Sequence, residues 1–221
     1  MNRLLIKFPT RNRPEKFKTV YQKYYDYLSG NNEVKFVISM DVDDPTMNND
    51  NIKKWLIDHP STKKFNYSEN KSKIQAVNAD LDGEDSDVLL LASDDMIPQI
   101  KGYDDIIFDE YFKNFPSFDG AIKFSDGLRN DELMTLCVIG WKNYKDFGYI
   151  YHPEYTSLYA DTEQTLVFKK KNKLAISPLC IIKHEWTGHP WDALHARNEN
   201  YEMYVKDKLI FDKHLPEILL K

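Results

Sequence analysis

Val88-Leu89-Leu90-Leu91-Ala92-Ser93-Asp94-Asp95-Met96-Ile97-Pro98 sets four apolar residues ahead of a short acidic turn. A run of that length, bounded by turn formers, reads as a strand buried on both faces with Ser-Asp-Asp at its exit. Ligands of open α/β sheets bind beyond the carboxyl ends of the strands. Two adjacent carboxylates there, with Pro98 discouraging a return to the sheet, suit a hard divalent cation. Mg²⁺ and Mn²⁺ take one or two carboxylates and complete their shell with water or substrate phosphate oxygens. A plainer use of the same residues is a helix cap from Ser93 or Asp94.

Working upstream, Leu4–Phe8 is a strand, followed by the loop Pro9–Pro14. Pro14 opens a helix through Lys16–Leu28 that stops at Ser29-Gly30, since proline suits a first turn and glycine a C-terminus. Val34–Met40 is a second strand and exits into Asp41-Val42-Asp43-Asp44-Pro45. Asn51–Asp58 reads as a helix and Lys64–Asn66 as a strand; Ser72 caps a helix through Ile74, Val77, Ala79 and Leu81. Strands alternating with helices predict a parallel sheet covered by helices. Downstream, Ile106–Phe115, Trp141–Phe147 and Thr162–Lys171 are helices, and Ala196–Leu209 is a helix on the outside. Ala121–Phe124 and Leu133–Gly140 are strands; Leu174–Ser177 and Leu179–Lys183 read as a strand broken or bent at Pro178.

A chain of 221 residues, 42% hydrophobic, is sized for one domain with a substantial core. Its net charge of -5 excludes a general nucleic-acid binder, which displays a basic field. Cys137 and Cys180 stand in apolar surroundings without metal-ligand spacing and read as reduced core residues. No apolar run is long enough to span a bilayer. Leu4-Leu5-Ile6 is too short for a signal peptide, so the cytoplasm is the expected compartment. Most of the fourteen tyrosines and twelve phenylalanines belong in the core, with some available to stack on a sugar or base.

Pro9-Thr10-Arg11 follows the first strand, Asp41 and Asp43 the second, and Lys73 and Asn78 lie on the third helix. Ser93-Asp94-Asp95 with Met96-Ile97-Pro98, then Ala160-Asp161-Thr162-Glu163, then His184 complete the series. In this order the residues, from Leu4 to about Asn198, resemble GT-A-type glycosyltransferases of the family 2-like kind. The resemblance implies one α/β domain over 1–221 with a Rossmann-like, mostly parallel sheet. Residues 1–100 would be its nucleotide-binding half, 101–195 its acceptor and catalytic half, and 196–221 a helical tail. It also implies a UDP-, GDP- or dTDP-sugar donor, Mn²⁺ or Mg²⁺, and a glycan or glycolipid acceptor, compatible with peripheral docking on a membrane. One departure stands out. The family's acidic motif is Asp-X-Asp, and here it reads Ala92-Ser93-Asp94 or Ser93-Asp94-Asp95, so the first acid is missing or replaced by serine.

By this resemblance Pro9, Thr10, Arg11, Asp41, Asp43, Lys73, Asn78, Ser93 and Asp94 face the nucleotide sugar. Thr10 and Arg11 offer a hydroxyl and a phosphate partner. Asp41 and Asp43 offer acceptors for base or ribose, or an Asx-turn ahead of Pro45. Asp94 or Asp95 holds the metal with His184; His189 is the rival ligand. The string His184-Glu185-Trp186-Thr187-Gly188-His189 is not a zinc-protease helix, because its histidines are five apart rather than four. Inversion needs a carboxylate to take the acceptor proton. Asp161 is assigned that role with Glu163 second, although both also suit a helix N-terminus. Phe124–Arg129 and Trp186–Trp191 are assigned to the acceptor edge. Two other functions compete. A sugar-phosphate nucleotidyltransferase wants a glycine-rich loop where residues 9–14 have no glycine. A non-catalytic glycan-binding domain stays open because Ala92 replaces the first acid of the motif.

Overall fold

Seven strands form one sheet: β1 (Arg3–Pro9), β2 (Glu33–Asp41), β3 (Lys63–Ser68), β4 (Val88–Leu91), β6 (Ala121–Phe124), β7 (Val138–Gly140) and β8 (Leu174–Ser177). Their order is β3-β2-β1-β4-β7-β6-β8. β3, β2, β1 and β4 run parallel, β7 is antiparallel to its neighbours, and β6 pairs parallel with β8. The computed structural model describes residues 1–59, 61–129, 131–185 and 192–220.

The strand period of two divides the apolar residues between two cores. Leu4, Ile6, Phe8, Phe36, Ile38, Val88 and Leu90 face one side, where helices α1 (Pro14–Asp26), α2 (Asp50–Asp58) and α4 (Tyr103–Asn114) cover them. Leu5, Val37, Leu89, Leu91 and Ile139 face the other, under α3 (Lys73–Asn78), α5 (Trp141–Phe147) and α6 (Ala160–Lys170). All four residues of β4 are buried, as the uninterrupted apolar run demands. Cys137 lies in the second core, whereas Cys180 is only half-buried, and both are free thiols.

Several boundaries move from their predicted places. The helix capped by Ser72 ends at Asn78 instead of continuing through Leu81, because tertiary partners override its apolar period. The Asn78 carboxamide binds the backbone of Ile150 and Tyr151, and Asp80 turns left-handed at φ 66° to accept from Ser39 and Ser68. The strand expected over 133–140 is confined to Val138–Gly140. Pro98 ends a small strand of its own, β5 (Met96–Pro98), which pairs antiparallel with β9 (Ile182–His184) in a second sheet. Of the two readings at Pro178 the break holds: the segment is two strands in two sheets. The tail forms α7 (Ala193–Asn198) and α8 (Tyr201–Leu220), and no described helix is long and apolar enough to cross a membrane.

Lys7 breaks the apolar pattern of β1 and is fully buried. Its ammonium donates to Ser39 Oγ and, at 2.7 Å, to the Ala79 carbonyl. Burial pulls its pKa down to about 7, only partly offset by Asp80. An unfolded lysine titrates near 10.4, so between these values the unfolded chain binds more protons and stability rises with pH. Compared with Lys7→Met, the natural chain is expected to gain up to about 1.4 kcal/mol per pH unit from pH 7.5 to 9.5. Urea unfolding of both proteins across that range measures the difference; parallel curves would contradict the assignment.

Candidate active site

The carboxyl ends of β1, β2, β4 and β6 open into one cleft of about 660 Å³. The near-identical directions of these strands place their exits together, while α3, α6 and the segment before α8 close the sides. Pro9, Thr10, Arg11, Asp41, Lys73, Ser93, Asp94, Asp95, Asp161 and His184 all line it. These come from six separate stretches of chain. Asp43, Asn78 and Glu163 do not line it.

The β4 exit turn is tightly bonded. Ser93 Oγ donates to Asp95 Oδ1, Met96 N–H returns to the Ser93 carbonyl at 3.2 Å, and Glu185 N–H reaches the Asp95 carbonyl at 2.7 Å. Pairing of Met96 with His184 brings His184 Nε2 to 3.7 Å from Asp95 Oδ2. Burial pushes the Asp95 carboxyl up, yet His184 and Ser93 outweigh it and hold the group well below the usual carboxylate range. Asp94 differs. Burial raises its carboxyl despite Arg13, whose Nη1 donates to Asp94 Oδ1 at 2.7 Å. Arg13 also clamps Asp192 just before α7 through Nε at 2.6 Å and Nη2 at 2.9 Å. Asp95 and His184 therefore converge, while Asp94 is turned to an arginine.

At the β1 and β2 exits, Arg11 Nη1 donates to Asp41 Oδ2 at 2.6 Å and its guanidinium also holds Asp43. Asp41 Oδ1 accepts from Asn70 at 2.8 Å. Thr10 Oγ1, Arg11 Nε and Ser157 Oγ are buried on cleft-lining residues without hydrogen-bond partners among the described residues. Buried polar atoms are rarely left this way, and three around one cleft mark a surface that a polar ligand can satisfy. Asp43 itself is solvent-exposed and serves Arg11.

Asp161 and Glu163 are not ahead of a helix but inside the first turn of α6, behind Tyr159 at φ 62°. Their carboxylates part company, as positions two apart on a helix must. Glu163 is buried with Tyr155 Oη at 2.6 Å and His214 Nδ1 at 2.9 Å. Asp161 faces the cleft half-buried, its Oδ1 accepting Thr162 N–H at 2.8 Å. Burial pushes its carboxyl up, with Lys73 the main opposing charge. Lys73 also helps to hold Asp95 down, so one ammonium acts on both carboxylates. Asp126, Leu128 and Arg129 line the cleft from the expected acceptor edge. His189 and 186–191 lie outside the described residues.

Arg13, Asn70 and Asp207 are contributors that the sequence did not single out, whereas Asp126 belongs to the stretch assigned to the acceptor edge. Asp126 accepts from Leu128 N–H, Arg129 N–H and Thr135 Oγ1. Asp207, fully buried on α8, takes the N–H groups of Thr156, Ser157 and Leu158 at 2.7–2.9 Å and so fixes one wall of the cleft. Asn70 and Asp207 sit in sequence among similar polar residues with no distinguishing spacing. Arg13 had one signal, its place beside Arg11 in the β1 exit loop.

A mostly parallel seven-stranded sheet flanked by helices, with its cleft at the acidic exit of β4, defines a GT-A fold, the fold of nucleotide-sugar transferases. Solved structures share it. A mannosyltransferase, PcManGT from Pyrobaculum calidifontis, in complex with GDP-Man and Mn²⁺, is similar with a TM-score of 0.65 and 14% identity. The match covers 85% of this chain and 58% of that one. TarS from S. aureus with UDP-GlcNAc matches with a TM-score of 0.63 and 14% identity, over 97% of this chain and 67% of TarS. A Drosophila β-1,4-galactosyltransferase 7 mutant with manganese, UDP-Gal and xylobiose gives 0.53 and 11%, over 90% and 80%. The chain thus spans a little over half the length of the mannosyltransferase. No protein-family model and no curated protein matches the sequence.

Proposed function

We propose that the cleft binds a nucleotide-diphosphate sugar and transfers the sugar, with inversion, to a hydroxyl of a glycan acceptor. One observation carries the reading: Asp95 paired with His184, and Asp161 on the same cleft, with Lys73 acting electrostatically on both carboxylates. The three solved relatives named above bind nucleotide sugars, which supports the donor class.

A mixed carboxylate and imidazole pair fits Mn²⁺ or Mg²⁺ when donor phosphates and water fill the other positions. Asp95 and His184 would hold the ion; Asp94, committed to Arg13, would contribute indirectly. Bound there, the ion supplies Lewis-acid stabilisation of the departing diphosphate. The chain's own residues do the rest. Thr10, Arg11, Asp41 and Asn70 form the polar rim for base and ribose, where Thr10 Oγ1 and Arg11 Nε still want partners. Lys73 adds positive charge beside the phosphates. Asp161 takes the proton from the acceptor hydroxyl as its oxygen bonds to the anomeric carbon and the bond to the diphosphate breaks. Asp126 and Arg129 shape the acceptor side.

The test is thermal melting with UDP, GDP, dTDP and CDP, each with Mn²⁺ or with EDTA. One nucleotide at about a hundredfold over its Kd should raise the midpoint by roughly 5–10 °C with Mn²⁺, and by much less with EDTA. No shift at millimolar nucleotide would refute the donor site, and a shift equally large in EDTA would refute the metal assignment to Asp95 and His184. Release of free sugar from the matching sugar nucleotide then separates an enzyme from a binding domain.

A further inference from the structure

We propose a second cation site, for Zn²⁺ or a similar borderline transition metal, formed by His152, Glu154 and His214 away from the cleft. The segment before α6 supplies the first two, and α8 supplies the third. One ligand atom from each lies within 4.8 Å of the other two, and this is the one such group of three among the described residues. None of the three lines the cleft.

The chemistry of the donors selects the metal. Two imidazoles and one carboxylate suit zinc, and three protein ligands leave a fourth position for water. His214 Nε2 is 3.6 Å from Glu154 Oε2, close to the edge of about 3.3 Å in a tetrahedral zinc site with bonds of 2.0–2.1 Å. His214 is already oriented for ligation. Its Nδ1–H donates to Glu163 at 2.9 Å, and Glu163 is fixed in turn by Tyr155 Oη at 2.6 Å. A carboxylate behind a histidine is the usual device that sets the tautomer and presents the other nitrogen to a metal. The rings of His152 and His214 stand 4.5 Å apart edge to face. Glu154 N–H approaches His152 Nδ1 only at 3.4 Å, too long to hold that lone pair firmly. Lys213 now occupies Glu154 Oε2 at 3.0 Å, but its side chain is 67% exposed and can leave for solvent.

A metal here would staple α8 to the stretch 152–158. That stretch carries Thr156, Ser157 and Leu158 on the cleft wall, and Asp207 of the same helix already grips their backbone. The site would thus brace the cleft from outside. It does not depend on what the cleft transfers.

The experiment is calorimetric titration of ZnCl₂, and separately MgCl₂, into the chelator-stripped full chain carrying Asp95→Asn, so that the cleft pair does not contribute. One Zn²⁺ should bind per chain, MgCl₂ should give no comparable heat, and melting should rise by about 5–10 °C at a hundredfold excess over Kd. His152→Ala and His214→Ala should abolish this binding. Glu154→Gln, at an exposed position that leaves the fold intact, should weaken it at least tenfold; Glu163→Gln should weaken it about 10- to 100-fold. Equal binding of Mg²⁺, no zinc binding below 100 μM, or zinc binding indifferent to both His152→Ala and Glu154→Gln would each overturn the site.

Discussion

Asp95→Asn is expected to abolish metal-dependent nucleotide binding and to lower sugar transfer by about a thousandfold or more. Asparagine keeps the size of the side chain and can still accept from Ser93, so the β4 exit turn survives. What disappears is the charge that faces His184 across 3.7 Å. A hard cation draws most of its binding energy from anionic oxygen, and a neutral amide beside one imidazole cannot replace it. Asp94→Asn makes the telling comparison. Its carboxylate is held by Arg13, which also grips Asp192, so the loss there should fall first on stability and on the seating of α7. Because Asp192 still pairs with Arg13, the cost should fall short of the about 3–5 kcal/mol expected when a buried charge loses its only partner. Melting curves with and without Mn²⁺, together with initial rates, separate the two variants. If metal dependence survives in Asp95→Asn and is lost in Asp94→Asn, the ligand assignment is reversed.

That distinction between neighbouring aspartates could not be read from the sequence. Val88–Leu91 announced a strand because burial on both faces needs a continuous apolar run, and Ser93-Asp94-Asp95 announced a ligand-bearing exit. Which way each carboxylate points depends on Arg13 and on β9, 81 residues upstream of Asp94 and 88 residues downstream of Met96 in their contacts. The helix through Leu81 failed for a related reason. Its apolar spacing was sound, but Asn78 and Asp80 found stronger partners in Tyr151, Ser39 and Ser68. Lys7 hid in plain view inside an apolar strand, since nothing local reveals a buried acceptor brought by β2. Asp161 and Glu163 were legible as a pair of acids at a helix start. Helical rotation then sent one to the cleft and the other to Tyr155 and His214.

Asp161→Asn should therefore lower kcat by about 10²- to 10⁴-fold while leaving nucleotide-induced stabilisation in Mn²⁺ unchanged. A general base must be ionised to work, so the rate falls as pH drops through its pKa. Burial raises the Asp161 carboxyl, which puts that acidic limb above the ordinary aspartate value of about 3.9. The limb should vanish in Asp161→Asn, whose residual activity becomes flat over the same range. Lys73→Met sharpens the prediction. Lys73 is the leading charge favouring ionised Asp161, so its removal should move the limb to still higher pH. The same change should weaken donor binding through the lost positive charge. Glu163→Gln supplies the control on α6: its carboxylate is bonded to Tyr155 and His214 rather than to the cleft, so melting should fall while the acidic limb stays in place. If the limb instead disappears in Glu163→Gln and persists in Asp161→Asn, the proton passes to Glu163 through a rearranged α6.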